Sequence, residues 1–201
     1  MNFLAHLVLA GQDEDLRLGA LLGDFVRGKA ELAAFRPPVQ TGIMLHRRID
    51  VYTDSLPEIV ALREWFPPGF RRYSGIIIDL AIDHELALDW EHRGLQSLEA
   101  FDAGVREMLA RRDNEVPPKL HRFMAYADRR GLFAAYREKS EILHSLRGVG
   151  HRLSRPNPLH RVDEIWDPFE ARVRLCFASV FDQVQSDVAD WLSSRSTTTG
   201  S

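Results

Sequence analysis

The clearest periodicity in the chain lies near its end. Val162, Ile165, Trp166, Phe169, Val173, Cys176, Phe177, Val180, Phe181, Val184, Val188 and Trp191 recur at intervals of three and four. That spacing predicts one long helix over residues 161–192 with an apolar stripe turned to the core. Packing alone accounts for the stripe, and it is assigned no chemistry. Upstream, breakers cut the chain at Pro37-Pro38, Phe66-Pro67-Pro68-Gly69, Pro117-Pro118 and Pro156-Asn157-Pro158. Between them the pattern predicts helices near residues 2–10, 15–27, 39–54, 57–65, 71–92, 97–112, 118–128 and 132–149, with no series of alternating strands. The expected fold is therefore all-α, a single helical domain over residues 1–192 followed by a flexible polar tail at 193–201.

Two helical stretches place polar residues where core residues belong. In residues 71–92 the stripe starts as Tyr73, Ile76, Ile77 and Leu80, then meets Asp83 and His84, with Asp79 one turn before Asp83 at its edge. Burying an unpaired carboxylate costs several kcal/mol, so Asp83 calls for a cation, strong donors or a metal beside it. An internal Asp–His or Asp–Arg pair satisfies the same need. In the second stretch, His46 and Asp50 are four apart on the face begun by Val39 and Ile43, and Thr53 and Asp54 extend it by a turn. An imidazole and carboxylates so spaced can ligate one divalent ion; the alternative is an ordinary i,i+4 surface pair, worth a few tenths of a kcal/mol. Arg47 and Arg48 project elsewhere and suit phosphate or acid pairing.

Near the amino terminus, Asn2 and His6 are also four apart. Asp24 falls beside the Leu18, Leu21, Leu22 and Phe25 stripe together with Arg17, so the pattern alone reads it as a solvated flank residue.

Composition then narrows the chemistry. The net charge of −3 argues against bulk attraction to nucleic acid. The single cysteine, Cys176, excludes an intramolecular disulfide and cysteine-based zinc sites, and reads as a small buried hydrophobe. There is no basic leader and no run approaching the ~20 apolar residues of a membrane span, so a cytoplasmic protein is expected. No Gly-rich phosphate loop, Gly-x-Ser-x-Gly elbow or His-Glu-x-x-His pair occurs. Mixed imidazole–carboxylate ligation favours a catalytic Mn²⁺, Mg²⁺ or Fe²⁺, and hydrolysis by activated water follows from it.

Met1-Asn2-Phe3-Leu4-Ala5-His6-Leu7, Gly23-Asp24-Phe25-Val26-Arg27-Gly28, His46-Arg47-Arg48-Ile49-Asp50, Thr53-Asp54 and Asp83-His84 together resemble the acyl carrier protein phosphodiesterase family, a divergent relative of the HD-domain phosphohydrolases. The likeness is densest over residues 1 to about 90. It implies an HD-domain-like helical bundle that uses a divalent cation, preferably Mn²⁺. The implied reaction is hydrolysis of the phosphodiester between 4′-phosphopantetheine and the serine of holo-acyl carrier protein. The adjacent pair here is Asp83-His84, the reverse of the usual His-Asp. On this resemblance Asp24, His46, Asp83 and His84, with His6 or Asp50, are the expected ligands. Asp79 or Asp50 would accept the water proton, and Arg48 or Arg27 would stabilise the phosphoryl charge. Because acyl carrier proteins are acidic, Arg47, Arg71 and Arg72 are candidate docking cations. Two other readings fit the same residues: a metal hydrolase of nucleotides or other small phosphoesters, and a non-enzymatic helical module for an acidic partner.

Overall fold

The computed structural model describes residues 1–93, 96–129, 131 and 133–198, and these form an all-α, single-domain helical bundle with no strand among them. The helices are α1 (Phe3–Leu9), α2 (Glu14–Leu22), α3 (Gly28–Ala33), α4 (Pro37–Ser55), α5 (Pro57–Trp65), α6 (Pro68–Arg71), α7 (Ser74–Leu88), α8 (Trp90–Arg93), α9 (Leu98–Arg111), α10 (Pro118–Asp128), α11 (Lys139–Arg152) and α12 (Asp163–Thr198). Short 3-10 turns at Asp113–Glu115, Ala134–Arg137 and Leu159–Arg161 link the later ones. Prolines set several starts: Pro37-Pro38, Pro57 and Pro68 occupy first-turn positions, where a missing N–H costs no intrahelical bond.

The bundle is organised around α7. From Leu80 to Ala87 every residue of α7 is buried, so the helix has no solvent face to which its polar residues could turn. α12 lies along α7, α4 and α5, burying Trp166, Phe169, Val173, Phe177, Val180, Phe181, Val184 and Val188 as the periodicity predicts. α2 and α4 are the closest pair. A Cβ added to Gly19 would lie 2.5 Å from Gly42 Cα and from the Val39 carbonyl oxygen, so these glycines let the two backbones touch. That contact brings the end of α2 against the middle of α4, and α1 packs on both α2 and α7.

Several predicted boundaries move. The helix expected over 15–27 ends at Leu22, where the N–H groups of Phe25 and Val26 both bond the Leu22 carbonyl and turn Asp24 out of the helix. The stretch expected over 71–92 divides into the end of α6, then α7 and α8, with breaks at Tyr73 and Asp89. α12 runs on to Thr198, beyond the apolar stripe that ends at Trp191, while residues 199–201 lie outside the described residues. Cys176 is half-buried instead of sealed in the core.

Candidate metal centre

Three backbone devices bring the amino-terminal polar residues together. His6 sits on the buried face of α1, and His46 and Asp50 stand one turn apart on α4. The N–H at His46 Nδ1 donates to the Ala20 carbonyl at 2.8 Å, which fixes the ring's orientation and turns Nε2 towards the carboxylates. Gly23, just past α2, gives this ring its space: a Cβ there would fall 2.1 Å from the His46 ring. The two imidazoles stack with centroids 3.8 Å apart and planes at 12°.

Asp50 faces both rings. Its Oδ1 is 3.1 Å from His6 Nε2 and its Oδ2 is 3.2 Å from His46 Nε2. Asp24 Oδ1 approaches the same His46 nitrogen at 3.6 Å from the exposed side. One ligand atom from each of His6, His46 and Asp50 lies within 4.8 Å of the others, the separation expected of donors around a single ion. His6 Nδ1 is buried without a hydrogen-bond partner.

The electrostatics fit a cation at this point. Burial opposes charge on His46, but Asp24 and Asp50 outweigh it and hold its pKa up to about 9. Burial, with His46 alongside, pushes His6 down to about 4 and keeps it neutral, the form that binds metals. Burial also works against the charge on Asp50 and Asp24, yet the imidazoles keep both carboxyls below their ordinary values. A proton on His46 is thus the cation these carboxylates recruit, in a place where a divalent ion would satisfy the same charges.

The remaining predicted residues are placed differently. Asp83 is fully buried, and its two oxygens accept from Leu4 N at 2.9 Å and Ala5 N at 3.1 Å. Asn2 gives α1 no side-chain cap, so Asp83 caps that helix from α7 and occupies its positive end. Burial still pushes its carboxyl up to about 7, against those two donors. His84 uses both ring nitrogens: the Tyr136 carbonyl lies 2.6 Å from Nδ1, and Glu170 Oε1 lies 3.1 Å from Nε2. Neither residue belongs to the group formed by His6, His46 and Asp50.

Asp79 accepts from the amino group of Met1 at 2.8 Å, and burial raises its pKa despite that partner. Arg48 is committed to Asp187 of α12 through two bonds of 2.8 and 2.5 Å. Arg27 is exposed, and its backbone N–H donates to Glu31. Of the expected docking cations, Arg47 bonds the Val26 carbonyl and Arg71 the Glu64 carbonyl, while Arg72 is exposed.

Beside the cluster opens a cavity of about 650 Å³, lined by Asp24 and Asp79, next to the cluster, and by Phe3, Phe25, Leu80 and Phe123 among its apolar walls. Lys119, Arg122 and Arg152 also line it. Sequence reasoning missed these three cations and the space requirement at Gly23. The cations lie on α10 and α11, far along the chain, where no local pattern links them to the amino-terminal motifs.

No solved structure matches the chain at a significant level. Curated relatives do. Proteins described as acyl carrier protein phosphodiesterase from Escherichia coli O139:H28 (strain E24377A / ETEC), O9:H4 (strain HS) and strain K12 / DH10B are each 37% identical over 177 residues, covering 86% of this chain and 91% of theirs. The family described as acyl carrier protein phosphodiesterase matches residues 1–184, which take in every element from α1 to the greater part of α12. The chain belongs to the acyl carrier protein phosphodiesterase family.

Proposed function

We propose that the protein hydrolyses the phosphodiester linking 4′-phosphopantetheine to the serine of holo-acyl carrier protein, using a divalent ion, Mn²⁺ by preference. The products are apo-acyl carrier protein and 4′-phosphopantetheine. The observation that carries this reading is the convergence of His6, His46 and Asp50 beside Asp24, which lines an adjoining cavity, in a chain of this family. His6, His46 and Asp50 would hold the ion, and Asp24 completes the set from the solvent side. The ion supplies Lewis-acid activation of water and neutralises charge on the phosphoryl group.

The protein's own groups do the rest. Asp79, at the cavity wall and with its pKa raised by burial, accepts the proton released as water attacks phosphorus. Arg27 is the choice for stabilising phosphoryl charge, since it is exposed and Arg48 is engaged by Asp187. Asp83 and His84 act from behind: Asp83 fixes α1, and through it the position of His6, while His84 ties α7 to Tyr136 and Glu170. The carrier protein is a cytoplasmic partner, and no described helix is long and apolar enough to cross a membrane.

Incubation with holo-acyl carrier protein and Mn²⁺, followed by intact mass of the carrier, tests the reaction. Loss of the prosthetic-group mass is expected. An unchanged carrier alongside turnover of nucleotides in a substrate panel would assign the site to small phosphoesters, and absence of a stoichiometric divalent ion would leave a binding module.

A further inference from the structure

The cavity has two properties that an ion site alone does not require. It extends well past Asp24 and Asp79, and most of what lines it beyond them is apolar: Phe3, Phe25, Ile76, Leu80, Phe123 and Val149. Its size falls within the ~300–1,000 Å³ of small-molecule sites, so it takes a ligand much larger than a phosphate. A phosphodiester cut beside Asp24 and Asp79 has two arms. One arm is a folded carrier protein, which cannot enter; the other is a thin chain that can.

We infer that the cavity receives the prosthetic arm of the carrier, phosphate first at Asp24 and Asp79, with the amide chain and sulfur end running between α10 and α11 towards Phe123 and Val149. This rests on the proposed phosphodiesterase reading and specifies how its substrate is held. The wall that sets the fit is late in the chain: Phe123 of α10 packs on Phe3 with ring centroids 4.4 Å apart, and Ser145 and Val149 of α11 line the same cavity. The rim supports the orientation. Lys119 and Arg122 on α10 and Arg152 on α11 are exposed and have no carboxylate partner among the described residues, so they can meet an acidic carrier surface while its arm is inside. Asp24 and Asp79 would repel a phosphate, a repulsion that an ion held by the imidazole–carboxylate cluster would offset during turnover, whereas the amide chain and sulfur end need no ion to bind.

The arm's contribution is measurable without turnover. With chelator present, calorimetry compares the affinity of the protein for holo-acyl carrier protein and for apo-acyl carrier protein, which differ only by the arm. Holo-carrier should bind about tenfold tighter or more, since burying the arm adds apolar and polar contact that apo-carrier lacks. Ser145→Phe, which adds bulk at a half-buried position of the cavity wall, should bring the two affinities together and leave apo-carrier binding unchanged. Val149→Phe is the second variant, to the same end, should the first fail to fold. In the presence of Mn²⁺ both variants should retain the wild-type affinity for the ion while losing turnover of holo-carrier. Equal affinities of the wild-type protein for the two carriers, with holo-carrier still hydrolysed when Mn²⁺ is added, would overturn the cavity assignment and leave the phosphodiesterase reading standing. Tighter holo-carrier binding that Ser145→Phe and Val149→Phe both leave intact would move the arm elsewhere. Failure to hydrolyse holo-carrier, whatever the affinities, would instead bring down the reading on which the inference rests.

Discussion

Two groups of acids and imidazoles lie a few residues from one another in the fold and behave in opposite ways. In the front group Asp24, His46, Asp50 and His6 point their donor atoms at each other, and the two carboxyls are held below their ordinary pKa values. In the rear group Asp83 and His84 are buried, Asp83 more deeply than either front carboxyl; their atoms are used up by Leu4 N, Ala5 N, the Tyr136 carbonyl and Glu170, and the pKa of Asp83 is pushed up. Asp102 repeats the rear pattern. It is buried, accepts from Ala134 N at the start of a 3-10 turn, and is pushed up to about 6. Burial and partner therefore change together: the buried Asp83 and Asp102 accept from backbone N–H groups that use their charge locally, whereas the more exposed Asp24 and Asp50 face imidazoles with which they can share a cation.

The largest expected effect distinguishes the two groups directly. His46→Ala or Asp50→Ala should remove stoichiometric Mn²⁺ binding and cut turnover of holo-carrier by roughly 100- to 10,000-fold, with helical circular dichroism retained. His84→Ala should lower stability and leave the ion bound; loss of the ion as complete as in His46→Ala would erase the distinction.

Asp83→Ala comes next, and its effect is on folding. It leaves the N–H groups of Leu4 and Ala5 buried without an acceptor, so urea denaturation should show a loss of about 2–5 kcal/mol. A change under ~0.5 kcal/mol would mean that Asp83 does not cap α1.

Gly23→Ala sharpens the account at the ring itself. The added methyl must displace the His46 imidazole, and Mn²⁺ affinity should fall by about 10- to 100-fold, measured by calorimetry. Unaltered affinity would show that the ring position does not matter to the ion.

The smallest effect is a pH slope. Asp102 has a folded pKa of about 6 against an ordinary value of 3.8, so the folded chain keeps a proton that the unfolded chain loses between those values. Its contribution to stability is therefore favourable below pH 3.8 and is lost as pH rises to about 6. Asp102→Asn should remove that decline, flattening the difference from wild type by on the order of 1–2 kcal/mol in urea titrations across the window. A parallel pH dependence in the two proteins would contradict the burial argument.

Much of the architecture was legible because apolar spacing and proline positions are local signals. The α12 stripe and the starts of α4 and α5 follow directly from them. The break after Leu22 was not, since nothing in Leu21-Leu22-Gly23-Asp24-Phe25 reveals that Gly23 must make way for a ring on another helix. For the same reason the helical wheel made Asp24 a flank residue, although the turn after α2 brings it to His46. The spacing of His46 and Asp50 put both on one face, as found. It also put Asp83 and His84 inward, correctly, but no pattern tells which of their atoms a distant backbone will use. The cations lining the cavity escaped notice because α10 and α11 carry no motif of their own.

The most direct test is an anomalous difference map from crystals grown with Mn²⁺. The account predicts one peak in contact with His6, His46 and Asp50, with Asp24 at its open side. A peak seated on Asp83 and His84, or no peak between the stacked imidazoles and Asp50, would contradict it.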